Sequence, residues 1–113
     1  IPSDIASNLC EGFGTTQLFS AFLYAVAEPG DVFLVAPTFY HTLVTWCDIH
    51  KVNLDLVMTG PQSDYKLTSF DLDSWVKQNP DKANKLKGIF IFNPTQTGAV
   101  YSRAELEDIS SFI

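Results

Sequence analysis

Two short apolar runs, each followed by a proline-containing loop, constrain the fold of this 113-residue chain most strongly. Val32–Val35 and residues 89–92 contain no polar side chain, which is typical of strands buried on both faces. Such strands need helices on both sides, and strands and helices alternate along this sequence. The sequence therefore predicts an α/β fold, a three-layer sandwich with a mainly parallel sheet.

Periodicity and breaker residues place the other elements. We expect strands at 9–11, 32–35, 52–58 and 87–92, and helices at 16–27, 40–50 and 71–78. Residues 59–68 are rich in Gly, Pro, Ser and Asp and predict a loop. Ser102 and Glu105 have capping-box spacing and predict the start of a last helix.

Apolar side chains recur at helical spacing in two of these helices and predict their inward faces. In the helix at 16–27 they are Leu18, Phe19, Phe22 and Val26, and in the helix at 71–78 they are Leu72, Trp75 and Val76.

Composition restricts the class of protein. Hydrophobic residues make up 46% of the chain, which fits one globular domain. The net charge of −6 argues against a nucleic-acid or anionic-membrane surface, because both need a basic face. No apolar run approaches the ~20 residues of a membrane helix, and nothing resembles a signal peptide.

The cysteines and histidines form no metal pattern. Cys10 and Cys47 lie in a predicted strand and a predicted helix, so we expect buried free thiols in a reducing compartment, the cytoplasm. His41 and His50 are too far apart on one helix for a metal pair. The chain begins at Ile1 and stops within a helical pattern, which indicates a piece of a longer protein.

A possible phosphate site lies where the strand at 9–11 leads into the first helix. A helix N-terminus offers free N–H groups and a positive dipole end to an anion. Gly14 allows close approach of the backbone, and the hydroxyls of Thr15 and Thr16 add donors. The alternative is an ordinary threonine helix cap.

Two further loops follow predicted strands. Phe39 comes directly after the Pro37 turn and could stack on a flat heterocycle, or it could be a core aromatic. Asn93 and Gln96 are amides that could orient a ring hydroxyl or a carboxylate, or they could simply form a turn. Ligands of open α/β sheets bind at such strand ends.

This set of motifs, in this order, resembles the large domain of fold-type-I pyridoxal-phosphate enzymes, the class I/II aminotransferases. The similarity covers nearly the whole chain, so residues 1–113 are expected to be a fragment of that domain. It is carried by Gly14-Thr15-Thr16-Gln17, Glu28-Pro29-Gly30-Asp31, Pro37-Thr38-Phe39, Asn93-Pro94-Thr95-Gln96-Thr97-Gly98 and Val100-Tyr101-Ser102-Arg103. Residues 28–35 and 86–88 look most like the aminocyclopropane-carboxylate-synthase-like branch.

The resemblance implies roles for individual residues. Gly14, Thr15 and Thr16 would hold the phosphate of pyridoxal 5'-phosphate, and Phe39 would stack on its ring. Gln96 would replace the family's second Asn, which bonds the 3-hydroxyl oxygen of the ring. The Pro that should follow Gln96 is missing, so this loop is one residue short, and either Gln96 or Asn93 would take the role.

The resemblance also implies what the parent protein does. It would be a homodimer that moves an amino group between an amino acid and a 2-oxo acid. The family's cofactor-bonding lysine and its pyridine-nitrogen aspartate would lie beyond Ile113, and Arg103 is expected at the surface. We therefore expect no catalytic residue in this chain. The alternatives are a lyase of the aminocyclopropane-carboxylate-synthase type, a non-catalytic homologue that acts as a binding module, and an unrelated flavodoxin-like domain.

Overall fold

The central strand of the sheet is the apolar run Val32–Val35 (β1). In the computed structural model, which describes residues 4–113, its four side chains are between 0% and 2% exposed. Asn53–Leu56 (β2) and Leu86–Phe90 (β3) pair with β1 on either side, and both pairings are parallel. The sheet therefore has the order β2-β1-β3, and the predicted parallel sheet is confirmed.

Helices cover both faces of this sheet and complete the predicted three-layer sandwich. Gly14–Val26 (α1) and Thr42–Ile49 (α2) contact each other and cover one face. Ser69–Gln78 (α3) and Arg103–Phe112 (α5) contact each other and cover the opposite face. The short helix Pro80–Ala83 (α4), which the sequence analysis did not predict, precedes β3.

The side chains of β1 alternate between two hydrophobic clusters. Phe33 and Val35 face the cluster under α1 and α2, whereas Val32 and Leu34 face the cluster under α3 and α5. Period-two alternation is the geometry of any strand, so a strand with helices on both faces must be apolar throughout. This requirement explains why β1 could be recognised from its composition.

Capping boxes fix the first turns of the helices on one face. Ser102 Oγ accepts from the N–H of Glu105, whose carboxylate accepts from the N–H of Ser102, as predicted. Thr68 and Asp71 form the same reciprocal pair at α3. Leu72 and Trp75 are buried and Val76 packs against the same cluster, so the predicted inward face of α3 is confirmed.

The loop at 59–68 is tied to the segment before α5. Tyr101 is 6% exposed, and its hydroxyl accepts from the N–H of Leu67 at 2.8 Å. The Lys66 ammonium donates to the Glu105 carboxylate at 2.7 Å and to the carbonyl of Val100 at 3.1 Å. The loop was predicted as irregular, and it contains only one turn of 3-10 helix, Pro61–Ser63.

The predicted strand at 9–11 is wrong. Leu9 has an extended backbone, but residues 9–11 pair with no strand among residues 4–113, and a 3-10 helix, Ala6–Asn8, precedes them. A strand needs a neighbouring strand to pair with its backbone N–H and C=O groups. The side chains of residues 9–11 do not determine whether such a neighbour is present. Cys10 is exposed, so the prediction of two buried thiols holds only for Cys47.

The predicted inward face of α1 is also partly wrong. Leu18, Phe22 and Val26 are 36%, 45% and 38% exposed, whereas Leu23 is fully buried. Leu23 packs into the cluster under α1 and α2, and Phe19 lies at its border. The helix is therefore rotated so that its central contact is Leu23. Spacing alone did not predict this, because α1 is apolar on more than one side.

No helix within residues 4–113 is both long and apolar enough to cross a lipid bilayer.

The Tyr101 hydroxyl provides a test of the contact between the loop at 59–68 and α5. Tyr101→Phe leaves the buried N–H of Leu67 without an acceptor, so we expect the free energy of unfolding to fall by about 1–3 kcal/mol. Urea denaturation of the full-length protein measures it. Tyr24→Phe is the matched control, because Tyr24 is 84% exposed; an equal effect of both changes would contradict the proposed role of the hydrogen bond.

Candidate functional site

Three segments lie at the edge of the sheet where the parallel strands end. Residues 36–39 follow β1 and residues 91–98 follow β3, so both leave the sheet at its carboxyl edge. The third segment is the N-terminus of α1, and aromatic contacts determine its position. Phe19 lies 6.1 Å from the ring of Phe92, just beyond the end of β3.

Later residues of α1 contact earlier residues of the strands. The Phe22 ring lies 6.0 Å from Phe90 and 6.4 Å from Phe33, and Val26 shares a groove with Lys87. The helix therefore runs antiparallel to the strands. Its N-terminus, with Gly14, Thr15 and Thr16, points toward the carboxyl edge of the sheet.

The N-terminus of α1 is built as an open turn. Phe13 occupies the N-cap position without a side-chain cap of its own, so the alternative of a threonine cap is not supported. The side-chain oxygen of Gln17 accepts from the N–H of Phe13, and the N–H of Gly14 donates to Gly12. Within residues 4–113, the N–H groups of Thr15 and Thr16 have no partner in the preceding segment.

Gly14 has a φ of +80°, a left-handed conformation that favours glycine. A Cβ built at this position would meet no atom within 4 Å, so conformation and not lack of space selects glycine here. Gly14 and Thr15 are exposed and Thr16 is half-buried. The first turn of α1 contains no acidic residue.

The segment after β1 places Phe39 partly inside the protein. Phe39 is half-buried and packs against the cluster under α1 and α2, next to Leu54 of β2. This is the position that the core-aromatic interpretation expects. The hydroxyl of the preceding residue, Thr38, is buried and has no hydrogen-bond partner within the described part of the chain.

The loop after β3 is held together by its own polar groups. Thr95 is 7% exposed, and it exchanges backbone and side-chain hydrogen bonds with Ala99 at 2.8 Å and 3.0 Å. The Asn93 Oδ1 atom accepts from the N–H of Tyr101 at 3.0 Å. Asn93 therefore links the end of β3 to the segment before α5, while its amide NH2 group stays available as a donor.

Gln96 differs from Asn93 in its contacts. Its side chain is exposed and forms no hydrogen bond within residues 4–113. Gly98 has a φ of +87°, which lets the loop return toward α5. Of the two amides, only Asn93 has a side chain that the surrounding structure holds in place.

The six predicted site residues therefore lie in three separate segments at one edge of the sheet. No described hydrogen bond or aromatic contact joins a site residue of one segment to a site residue of another; the six residues are Gly14, Thr15, Thr16, Phe39, Asn93 and Gln96. The three segments are the N-terminus of α1, residues 36–39 and residues 91–98. A ligand that touched all three would have to span the space between them.

None of the six predicted site residues is among the described ionisable side chains with a shifted pKa, which are Cys47, Tyr101 and Glu105. Burial, together with the nearby Asp48 carboxylate, raises the pKa of the Cys47 thiol to about 11, so this thiol is unreactive at neutral pH. Burial also raises the pKa of Tyr101. Arg103 pairs with Glu107 at 2.8 Å and its side chain is 93% exposed, so it lies at the surface as predicted.

The donor set at α1 fits a phosphate group. Two unpaired backbone N–H groups, two hydroxyls and a helix dipole are the groups that bind phosphate in proteins, and no carboxylate lies within the first turn. The adjacent cleft of about 420 Å³ is lined by Glu11, Gly12, Phe13 and Gln17. None of these four carries a positive charge and Glu11 is acidic, so the lining of this cleft supplies no cation to the anion.

Comparison with known proteins determines the family. The model of the family described as aminotransferase class I and II matches residues 1–113. The chain belongs to this family. The fold agrees, because the aspartate aminotransferase of Rhizobium meliloti superimposes with a TM-score of 0.76 at 18% identity, over 88% of this chain and 24% of that one.

Curated relatives in this family bear the name 1-aminocyclopropane-1-carboxylate synthase. The Cucurbita maxima protein CMW33 is 25% identical over 111 residues, which is 95% of this chain and 22% of that protein. The Glycine max protein is 29% identical over 104 residues, 88% of this chain and 21% of its own length. The chain thus spans about a fifth of the curated relatives that it matches.

Three residues of this edge were not recognised as contributors from the sequence. Gln17 caps the turn before α1, Thr95 organises the loop after β3, and Thr38 carries the unpartnered hydroxyl. Gln17 could have been recognised from its spacing, because it lies four residues, about one helical turn, after Phe13, whose N–H donates to its side chain. Thr95 and Thr38 lie in loops whose backbone path determines what their hydroxyls meet, and residue type does not reveal that path.

Asn93 provides a test of how the loop after β3 is held. Asn93→Ala removes the acceptor of the Tyr101 N–H, so we expect hydrogen exchange of that amide to accelerate by about tenfold, the equivalent of ~1.4 kcal/mol. Exchange followed by NMR or mass spectrometry on the full-length protein measures it. Asn93→Asp keeps the acceptor and should exchange slowly, as should Gln96→Ala. Equal acceleration in all three variants would refute the assignment.

Proposed function

We propose that this chain is part of the cofactor-binding large domain of a pyridoxal-phosphate-dependent aminotransferase. The protein that contains it would move an amino group between an amino acid and a 2-oxo acid. The observation that carries this proposal is the open N-terminus of α1 at the carboxyl edge of a parallel sheet, in a chain of the aminotransferase class I and II family. When bound, pyridoxal phosphate supplies an electron sink for chemistry at the amino-acid α-carbon.

In this proposal the chain's own residues bind and orient the cofactor. The N–H groups and hydroxyls of Thr15 and Thr16, with Gly14 open beside them, hold the phosphate. Phe39 limits the position of the ring by stacking. Its partial burial against the cluster under α1 and α2 would keep the aromatic plane in place.

The loop after β3 would contribute the amide that bonds the ring hydroxyl. Gln96 occupies the place expected from the family motif, but its side chain is exposed and unattached. Asn93 is held by Tyr101 through Oδ1 and can still donate through Nδ2. We assign the amide donor to Asn93, with Gln96 as the second candidate at the same loop.

The proton-transfer and carboxylate-binding groups would come from other parts of the parent protein. Arg103 is engaged at the surface with Glu107, and Lys66 is engaged with Glu105. Neither forms a described hydrogen bond or ion pair with Gly14, Thr15 or Thr16. We also infer a homodimeric, cytoplasmic parent from its family, and no activity of the isolated chain.

Two other functions each have one observation in their favour. A lyase of the aminocyclopropane-carboxylate-synthase type is favoured by the names of the curated relatives. Phe39, where the enzymes with that activity carry Tyr, argues against it. A non-catalytic homologue is favoured by the shortened loop at Gln96. The two differ in whether the full-length protein bonds the cofactor covalently.

Phosphate binding at α1 can be tested by removing the hydroxyls. Thr15→Val with Thr16→Val keeps the side-chain shape and removes two donors, so we expect retention of pyridoxal phosphate in the full-length protein to weaken at least about tenfold. Cofactor occupancy after dialysis measures it. Thr45→Val is the control, because Thr45 is an exposed residue of α2. Unchanged occupancy in the double variant would count against the phosphate site.

A further inference from the structure

The outer edge of β2 has backbone groups without a partner within residues 4–113. The N–H groups of Asn53 and Val57 donate toward β1 at 2.9 Å. Because donors and acceptors alternate along a strand, the N–H and C=O groups of Leu54, Leu56 and Met58 point away from β1. Since β2 is the end strand of the described sheet, this edge could pair with an additional strand.

A groove lies along this edge on the α3 side of the sheet. It has a volume of about 370 Å³ and includes Asp55 of β2 with Phe70, Asp71 and Trp75 of α3. Phe70 is 76% exposed, although it is a large apolar side chain. We call this the α3 groove.

A second groove lies along the same edge on the opposite face. It has a volume of about 350 Å³ and is lined by Leu54 of β2, by Val44 and Asp48 of α2, and by Phe39. We call this the α2 groove. A strand added beside β2 would direct alternate side chains into the α3 groove and the α2 groove, because successive side chains point to opposite faces.

Apolar surface on the strand itself reinforces this arrangement. Leu56, the last residue of β2, is 48% exposed and lines both grooves, and Met58, two residues later, is 75% exposed and lines the α3 groove. Exposed apolar side chains beside unpaired backbone groups are features of a strand-addition site.

The charges of the two grooves select the partner. Asp48, Asp55 and Asp71 are among the residues that line them, and no Lys or Arg is. Lys82 reaches Asp55 from α4 at 2.8 Å, and no cation pairs with the other two carboxylates within residues 4–113. A second copy of the chain would place like charges opposite each other, which disfavours self-pairing.

We propose that the outer edge of β2 binds an extended, basic segment of another protein as an added strand. The backbone of that segment pairs with Leu54, Leu56 and Met58. Its apolar side chains cover the exposed surface of the α3 groove, and its lysine or arginine side chains enter the α2 groove and reach Asp48. The surface does not include Gly14, Thr15 or Thr16, and it meets the proposed cofactor site at Phe39, which lines the α2 groove.

The first test uses a synthetic probe and the full-length protein. An acetylated, amidated peptide of about eight alternating valine and lysine residues should bind with one-to-one stoichiometry and more weakly at high salt. Glutamate in place of lysine should weaken binding at least about tenfold. N-methylation of alternate backbone nitrogens should have a similar effect, because it removes the donors to the strand edge.

Variants of the full-length protein test the same surface by changing the binding site instead of the peptide. Leu56→Pro removes one outward N–H without removing a donor to β1, and should weaken binding of the valine–lysine peptide about tenfold. Asp48→Asn should weaken it several-fold. Glu107→Gln is the matched control, since it removes one surface carboxylate on α5, and it should leave binding unchanged.

Three results of the binding experiments would overturn the proposal. They are equal affinity for the N-methylated peptide, absence of peptide binding, and equal weakening by Glu107→Gln and Asp48→Asn. Slow hydrogen exchange at Leu54 and Leu56 in the free full-length protein would also overturn it, because another segment of the same protein would then occupy the edge. The N-methylated peptide keeps the test decisive even if Leu56→Pro does not fold.

Discussion

The burial of β1 on both faces is the constraint on which the rest of the structure depends. Its backbone groups can be satisfied only by strands on both sides, and its alternating side chains only by helices above and below. Phe33 stacks on Phe90 of β3 at 5.2 Å, and a Cβ at Gly88 would lie 2.9 Å from the Phe33 ring. The glycine therefore lets β3 lie against this aromatic. The three-layer order thus follows from one apolar run of four residues.

The same constraint determines where ligands can bind. Parallel strands need long crossovers, so loops collect at the carboxyl edge and helices return toward the opposite edge. This direction brings the N-terminus of α1 to the carboxyl edge, where its free N–H groups are available. The buried core thus fixes the helix through Leu23 and Phe19 while leaving its first turn exposed. The buried core and the proposed ligand-binding turn are neighbours, but they use different atoms.

Elements with two buried faces or a complete cap could be predicted from the sequence, and elements that depend on distant neighbours could not. Val32–Val35 and the Ser102 capping box were predicted correctly, because each depends on local pattern alone. Residues 9–11 were mistaken for a strand, since pairing depends on a partner that no local pattern reveals. At the candidate site the sequence indicated the three segments, but the attachment of Asn93 to Tyr101 depends on the loop's path.

Covalent bonding of the cofactor is the most direct test of the proposed aminotransferase function. The full-length protein would be mixed with pyridoxal phosphate, and its visible absorption would be recorded before and after borohydride reduction. We expect a bound-cofactor band that reduction fixes to the polypeptide, so that the label survives denaturation and dialysis. A well-folded protein that shows neither band nor covalent label would contradict the enzyme assignment, and would favour a non-catalytic homologue with an altered Gln96 loop.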